Sequence, residues 1–118
     1  MTVENEAVES DMLSFQDFQN VELKVGKVLA VEDHPNADKL MVLRVDLGEE
    51  APRTLVAGLK DYYTNEDLAG KLVVVLSNLE PASLRGVVSN GMLLAAQEGD
   101  KVVILTLDAE IAPGSPVL

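Results

Sequence analysis

The strand-like stretch from Val21 to Val31 constrains this fold more than any other part of the chain. Leu23 and Val25 alternate with charged residues, and the apolar phase then slips after Gly26. Side chains alternate across a strand with a period of two, so one slip turns the later half onto the other face. A slip at a glycine is how a bulge or a sharp barrel bend is encoded. A strand that changes faces midway suits a small closed barrel better than a flat-sided sandwich.

The remaining segments fit that choice. Met41, Leu43, Val45 and Leu47 alternate with Val42, Arg44 and Asp46, the pattern of a strand with one apolar face. Gly48–Pro52 reads as a hairpin-like connection and Arg53–Ala57 as a third short strand ending at Gly58. Thr64 precedes Asn65-Glu66-Asp67-Leu68 and Gly70 closes the segment, which predicts a single capped helical turn. Leu72–Leu76 is continuously apolar, as in a strand buried on both faces. Further strands are expected around Gly91–Ala96 and Val102–Leu107, and Ala112–Pro116 ends in turns. Five strands with one short helix between the third and fourth predict an all-β OB-fold, a five-stranded Greek-key barrel.

The N-terminal end reads differently. Residues 1–13 are acidic and without periodicity, which predicts a disordered tail before a domain over 14–118. Ser14 is placed to cap a short helix with Asp17 three residues on. Phe15 and Phe18, the only phenylalanines, share one face of it and are expected to pack on the body as a lid.

Composition narrows the function. At 118 residues the chain suits one domain. Aromatics are only 3% of it, so Val, Leu and Ala must fill the core. With no cysteine there is no disulfide frame and no thiolate chemistry, which is compatible with a cytoplasmic location. The longest apolar run is too short to span a bilayer, and the first residues lack the basic and apolar regions of a signal peptide. The net charge is −11, yet residues 1–21 hold five acids and no base, leaving 15 acids against all nine bases in the rest. Phosphate affinity comes from Lys and Arg, so nucleic-acid binding requires those nine cations to cluster.

Catalytic and metal sites find little support. Ser89 lies in Gly86-Val87-Val88-Ser89-Asn90-Gly91, which is not the G-x-S-x-G elbow. The single histidine, His34, stands in a Pro-containing turn with no signal pairing it to Ser89, and it reads as a turn or surface residue. His34 and Asp38 are two potential metal ligands where a stable site usually has three or four. No cofactor motif is present, so neither metal nor cofactor is expected. Binding is the better class. Arg44 falls on the outward phase of its strand, Lys39 in the turn before it, and Arg53 at the start of the next strand. In a barrel these three can share a surface with the loop of Arg85, or remain scattered surface charge. Gly86 and Gly91 bracket Ser89 and Asn90, and taken alone they mark a structural bulge.

Two segments taken together, HPNADKL (His34–Leu40) and LRGVVSNGMLLAA (Leu84–Ala96), resemble the tRNA-binding domain family. This family includes the domain appended to methionyl-tRNA synthetases, sometimes as a separate subunit, a stand-alone structure-specific tRNA-binding protein, and the endothelial-monocyte-activating polypeptide. VELKVGKVLAVE, RTLVAGL, LAGKLVVVLSNLEP and APGSPV also fit, so the resemblance runs from about Phe15 to the C-terminus. It implies an OB-fold with extra C-terminal strands that build a homodimer. It also implies a non-catalytic module that binds tRNA by shape at the elbow of the L, as an accessory of methionyl-tRNA synthetase. By position, Ser89 and Met92 match tRNA-contacting residues, Asn90 and Arg85 lie beside them, and Lys39, Arg44 and Arg53 match basic positions on the binding side. Many members carry basic residues just before the Leu-Arg-Gly step, where this chain has Glu80, Ala82 and Ser83. That departure and the acidic balance motivate an alternative: a protein-binding module or export-type chaperone of the same fold, with weak or no RNA binding. The apolar segments Val102–Leu107 and Ala112–Leu118 suit either a second copy or the chain's own barrel.

Overall fold

The structure is a computed structural model that describes residues 11–118. A short helix α1 (Phe15–Gln19) leads into β1 (Leu23–Asp33), β2 (Met41–Asp46) and β3 (Arg53–Ala57). A second short helix, α2 (Asn65–Leu68), connects to β4 (Leu72–Leu76). Then come β5 (Ala82–Leu84), β6 (Val87–Ser89), β7 (Met92–Leu93), β8 (Ala95–Glu98) and β9 (Lys101–Ile104). The main sheet has the order β3-β2-β1-β4-β7, with every neighbouring pair antiparallel, while β5–β6 and β8–β9 form separate ribbons. β3 also approaches β6 and β7, which brings the sheet round into the expected OB-like barrel.

β1 makes this curvature possible. Its first half, Leu23–Lys27, pairs with β4, and from Lys27 onward it pairs with β2. The register against β2 shifts by one residue between Val28 and Ala30, so the extra residue is Leu29, which is exposed. The slip predicted after Gly26 is therefore two jobs at two positions. Leu29 supplies the bulge, and Gly26 supplies room: a Cβ there would stand 2.6 Å from Val45 Cγ1 and 3.0 Å from Leu47 Cδ2.

The core is aliphatic. Val25, Met41, Leu43, Leu55, Leu68 and Val75 are each at most 2% exposed. Burying one such side chain contributes roughly 1.5–3 kcal/mol. Thr64 caps α2 with a reciprocal box: its Oγ1 accepts from the Asp67 amide, and the Asp67 carboxylate accepts from the Thr64 amide. That box sets one turn of helix over the barrel end, where Leu68 plugs the core.

The C-terminal segment covers this chain's own barrel. The amides of Gly114 and Val117 donate to Val25 O and Leu23 O, and the Val25 amide donates to Ser115 O. These residues take the place that β2 leaves vacant along the first half of β1. Ile104 of β9 is likewise buried in the core.

α1 departs from expectation. Ser14 Oγ does accept from the Asp17 amide, as its position predicts. Yet Phe15 is 73% exposed and Phe18 40%, and no residue of α1 is buried, so the expected lid does not form. Five residues offer too little apolar area, and the chain leaves the helix through Asn20 instead. There Asn78 Nδ2 donates to Asn20 O, and Asn78 Oδ1 accepts from the Glu22 amide. Of the predicted acidic tail, residues 1–10 lie outside the described residues.

Candidate nucleic-acid interface

In an OB barrel the outer face of the second and third strands, with the loops between strands one and two and before the fifth strand, forms the usual ligand surface. Here those parts are β2 and β3, the turn 34–40, and the stretch from Ser77 to Gly91. Six of the seven residues singled out in the sequence lie on these parts and Met92 opens β7 just beyond them, but not all of them face outward.

Ser89 faces inward. It is 5% exposed, its Oγ accepts from the Val56 amide at 2.9 Å, and it donates to Gly91 O at 3.0 Å. One residue on, the Asn90 amide donates to Thr54 O at 2.8 Å. These bonds close the barrel between β3 and the start of β7. A side-chain hydroxyl stands where a backbone carbonyl would otherwise satisfy a strand-edge N–H. Gly91 has φ +130, and a Cβ on it would meet Leu55 Cδ2 at 3.0 Å and Leu76 O at 3.3 Å. The hydroxyl expected to touch a ligand is thus buried and bonded within the seam, while Asn90 and Met92 beside it are exposed.

Arg53 is also committed internally. Its guanidinium makes two hydrogen bonds to the Glu49 carboxylate, at 2.9 and 2.8 Å. It donates as well to Ser77 O at 2.6 Å and Asn90 O at 3.3 Å. Hydrogen bonding to Arg53 holds the Glu49 carboxyl below its ordinary 4.5, against the opposing effect of partial burial. The same pair pushes Arg53 up. Arg53 ties the beginning of β3 to the end of β4 and to the closing seam, so most of its donors are used within the fold.

Lys39 and Arg85 do face outward together. They line one groove of about 490 Å³ with Asn36, Ala37, Asp38 and Leu40. The Lys39 side chain is 82% exposed, and its nearest acid is Asp61, 3.6 Å away. An exposed pair of this kind contributes little and leaves the ammonium available. Arg44 is exposed on β2 in register with Ala30 on one side and Thr54 on the other, and Thr54 is bonded to Asn90. Met92 lines a second cavity of about 430 Å³ with Gly58, Leu59 and Tyr62. Leu40 reaches Gly58, which joins this cavity to the Lys39 turn. Lys39 and Arg85 thus share one groove, Met92 lines a second cavity, and Asn90 and Arg44 are exposed elsewhere on the same barrel parts.

Sequence reasoning missed two residues here. His34 is not a surface residue but 6% exposed, bonded between the turn and the hairpin β5–β6. Tyr62, 42% exposed beside Met92, gave no signal beyond being aromatic. Beside the turn, Lys60 pairs with Asp33, and that hydrogen bond holds the Asp33 carboxyl below its ordinary value. Among the described residues no group of three or more His, Cys, Asp or Glu could hold a metal ion. No helix of the described chain is long and apolar enough to cross a membrane.

Comparison with known proteins shows the family and the fold. The family model described as a putative tRNA binding domain matches residues 23–116. A methionine–tRNA ligase of Pyrococcus horikoshii is 53% identical over 112 residues, 95% of this chain but only 15% of that enzyme. The crystal structure of a methionyl-tRNA synthetase-related protein from Pyrococcus horikoshii superposes with a TM-score of 0.85 at 35% identity, covering 92% of this chain and 99% of that one. The chaperone CsaA of Bacillus anthracis superposes with a TM-score of 0.81 at 29% identity, covering 91% and 99%.

Proposed function

The chain belongs to the tRNA-binding domain family, and on that premise we propose that it is a non-catalytic, structure-specific tRNA-binding module working with methionyl-tRNA synthetase in the cytoplasm. The observation that carries this reading is the groove where Lys39 and Arg85 meet, with Asn90, Met92 and Arg44 also exposed. Cations spaced along a surface recognise an RNA backbone by its shape, without reading bases. That suits the elbow of tRNA, a folded surface of phosphates and sugars. Arg85, Lys39 and Arg44 would meet phosphates, Asn90 a phosphate or a 2′-OH, and Met92 a sugar or base. Ser89 and Arg53 would serve the same site from beneath, by fixing the seam.

A filter-binding titration with total tRNA at low salt tests it. Binding is expected to weaken steeply as salt rises, and no binding at low salt overturns the reading. Backbone footprinting on the bound tRNA tests the elbow. The reading includes a homodimer, supported by the exposed apolar residues Val103, Leu105 and Ile111 on and after β9. Sedimentation at several concentrations checks this, and a persistent monomer sinks it.

The similarity to CsaA, together with exposed Leu84 and Val88 on the ribbon where basic residues were expected, favours one second reading, a polypeptide-binding module. Recovery of unfolded polypeptides but no RNA in a pull-down selects it.

A further inference from the structure

His34 and Leu84 are 50 residues apart in the chain and joined in the fold. The His34 ring is buried, and both of its nitrogens are used. Nδ1 lies 2.9 Å from the Asn36 amide, which can only donate, so Nδ1 accepts. Nε2 lies 2.9 Å from Leu84 O, which can only accept, so Nε2 carries the proton. The partners select one neutral tautomer. Asn36, oriented by the ring, then donates from Nδ2 to Arg85 O at 3.2 Å, and Arg85 Nη2 donates back to Asn36 O at 3.3 Å.

These bonds fall on a strained turn. Arg85 has φ 55, the only positive value outside glycine among the described residues, and Gly86 follows with φ 95. Two left-handed residues between β5 and β6 make the hairpin turn that prefers Asn-Gly. An arginine in the first position is unfavourable by its backbone alone. The Leu84 carbonyl belongs to the peptide plane before the Arg85 Cα, and the Arg85 carbonyl to the plane after it. His34 holds the first and Asn36 holds the second, so the two together set both backbone angles of Arg85.

Resting on the tRNA-binding reading, we infer that His34 is a positioning residue for RNA backbone recognition. With Asn36 it pins both peptide planes flanking Arg85 and aims that guanidinium into the groove shared with Lys39. The ligand chemistry is a backbone phosphate bridging the two cations. His34 touches no RNA itself.

The test uses the full chain, total tRNA and low salt. Arg85→Ala is expected to weaken binding about three- to fivefold, the share of one phosphate contact. His34→Leu is expected to weaken it as much, and the double variant no further than either alone. His34→Gln, which keeps a donor for Leu84 O, is expected to recover most of the affinity. Ring nitrogen shifts of His34 in the free protein are expected to show the Nε2-protonated tautomer. Should His34→Leu fail to fold, Asn36→Ala carries the test, because Asn36 is exposed and its loss frees Arg85 alone. Unchanged affinity in His34→Leu or Asn36→Ala while Arg85→Ala binds weakly overturns the inference and leaves the tRNA reading standing. So do losses from His34→Leu and Arg85→Ala that simply add, or an Nδ1-protonated ring. A wild-type chain that binds no tRNA overturns both.

Discussion

The stretch from Leu84 to Met92 is held at two joints, and they differ in what could replace them. At the His34 joint the partners are carbonyls of a hairpin turn that stands on the outside of the barrel. At the Ser89 joint the partner is the Val56 amide, inside a closed seam. Water can substitute at a turn, whereas a buried amide deprived of its acceptor has no substitute. The first joint therefore governs where Arg85 points, and the second governs whether the barrel stays shut. One short segment carries geometry at one end and stability at the other.

The sharpest way to break this contrast is at the seam. Gly91→Ala places a Cβ against Leu55 and Leu76 at a φ of +130, and is expected to destabilise by about 3 kcal/mol in chemical denaturation. A loss under 1 kcal/mol would show that the seam flexes to admit it. Ser89→Ala strands the Val56 amide and is expected to lose about 2 kcal/mol. A neutral result would mean that the Asn90 bonds hold the seam without the hydroxyl.

Smaller effects are expected outward. Glu49 has its folded pKa lowered by Arg53, so its contribution is fully present above its unfolded value, ordinarily 4.5, and is lost as pH falls through the lowered one. Wild type is thus expected to lose stability below about pH 4.5 relative to Glu49→Gln, by less than about 1 kcal/mol, since the pair is partly exposed. A gap that widens on acidification contradicts this. Smallest in stability is Arg85→Ala, within about 0.5 kcal/mol of wild type. Its signature is a salt dependence of tRNA binding shallower by about one unit of slope. An unfolding midpoint that falls steeply would make Arg85 a structural residue instead.

Much of this architecture was legible in the chain. β3 and β4 have the bounds read from sequence, β3 because Gly58 ends it and β4 because continuous burial leaves a strong signature. Thr64 and Gly70 marked α2 because helix caps are local chemistry. The ribbon β5–β6 was not legible. Its turn is Arg85-Gly86, and an arginine gives no hint of a left-handed backbone that distant partners enforce. The expected strand Gly91–Ala96 is instead divided between β7 and β8. Long-range bonds also hid the inward roles of Ser89, Arg53 and His34. A hydroxyl, a guanidinium and an imidazole look alike in sequence whether they wait for a ligand or satisfy a backbone group 24 to 50 residues away. Arg85, Lys39 and Arg44 were easier, because exposure is the default for long cations.

The seam has a further consequence for motion. The ladders between β1 and β4 and between β2 and β3 each pair five residues, whereas the barrel closes between β3 and Ser89–Asn90 through three hydrogen bonds, one of them from the Arg53 side chain. Local opening follows the line with fewest bonds. The Val56 and Asn90 amides should therefore exchange with solvent deuterium sooner than those of Leu43 or Val75, which lie within the ladders. A ligand seated on Asn90 and Met92 would hold that line closed. Occupancy of the outer face would then be recorded inside the barrel, as slower exchange at the single amide of Val56.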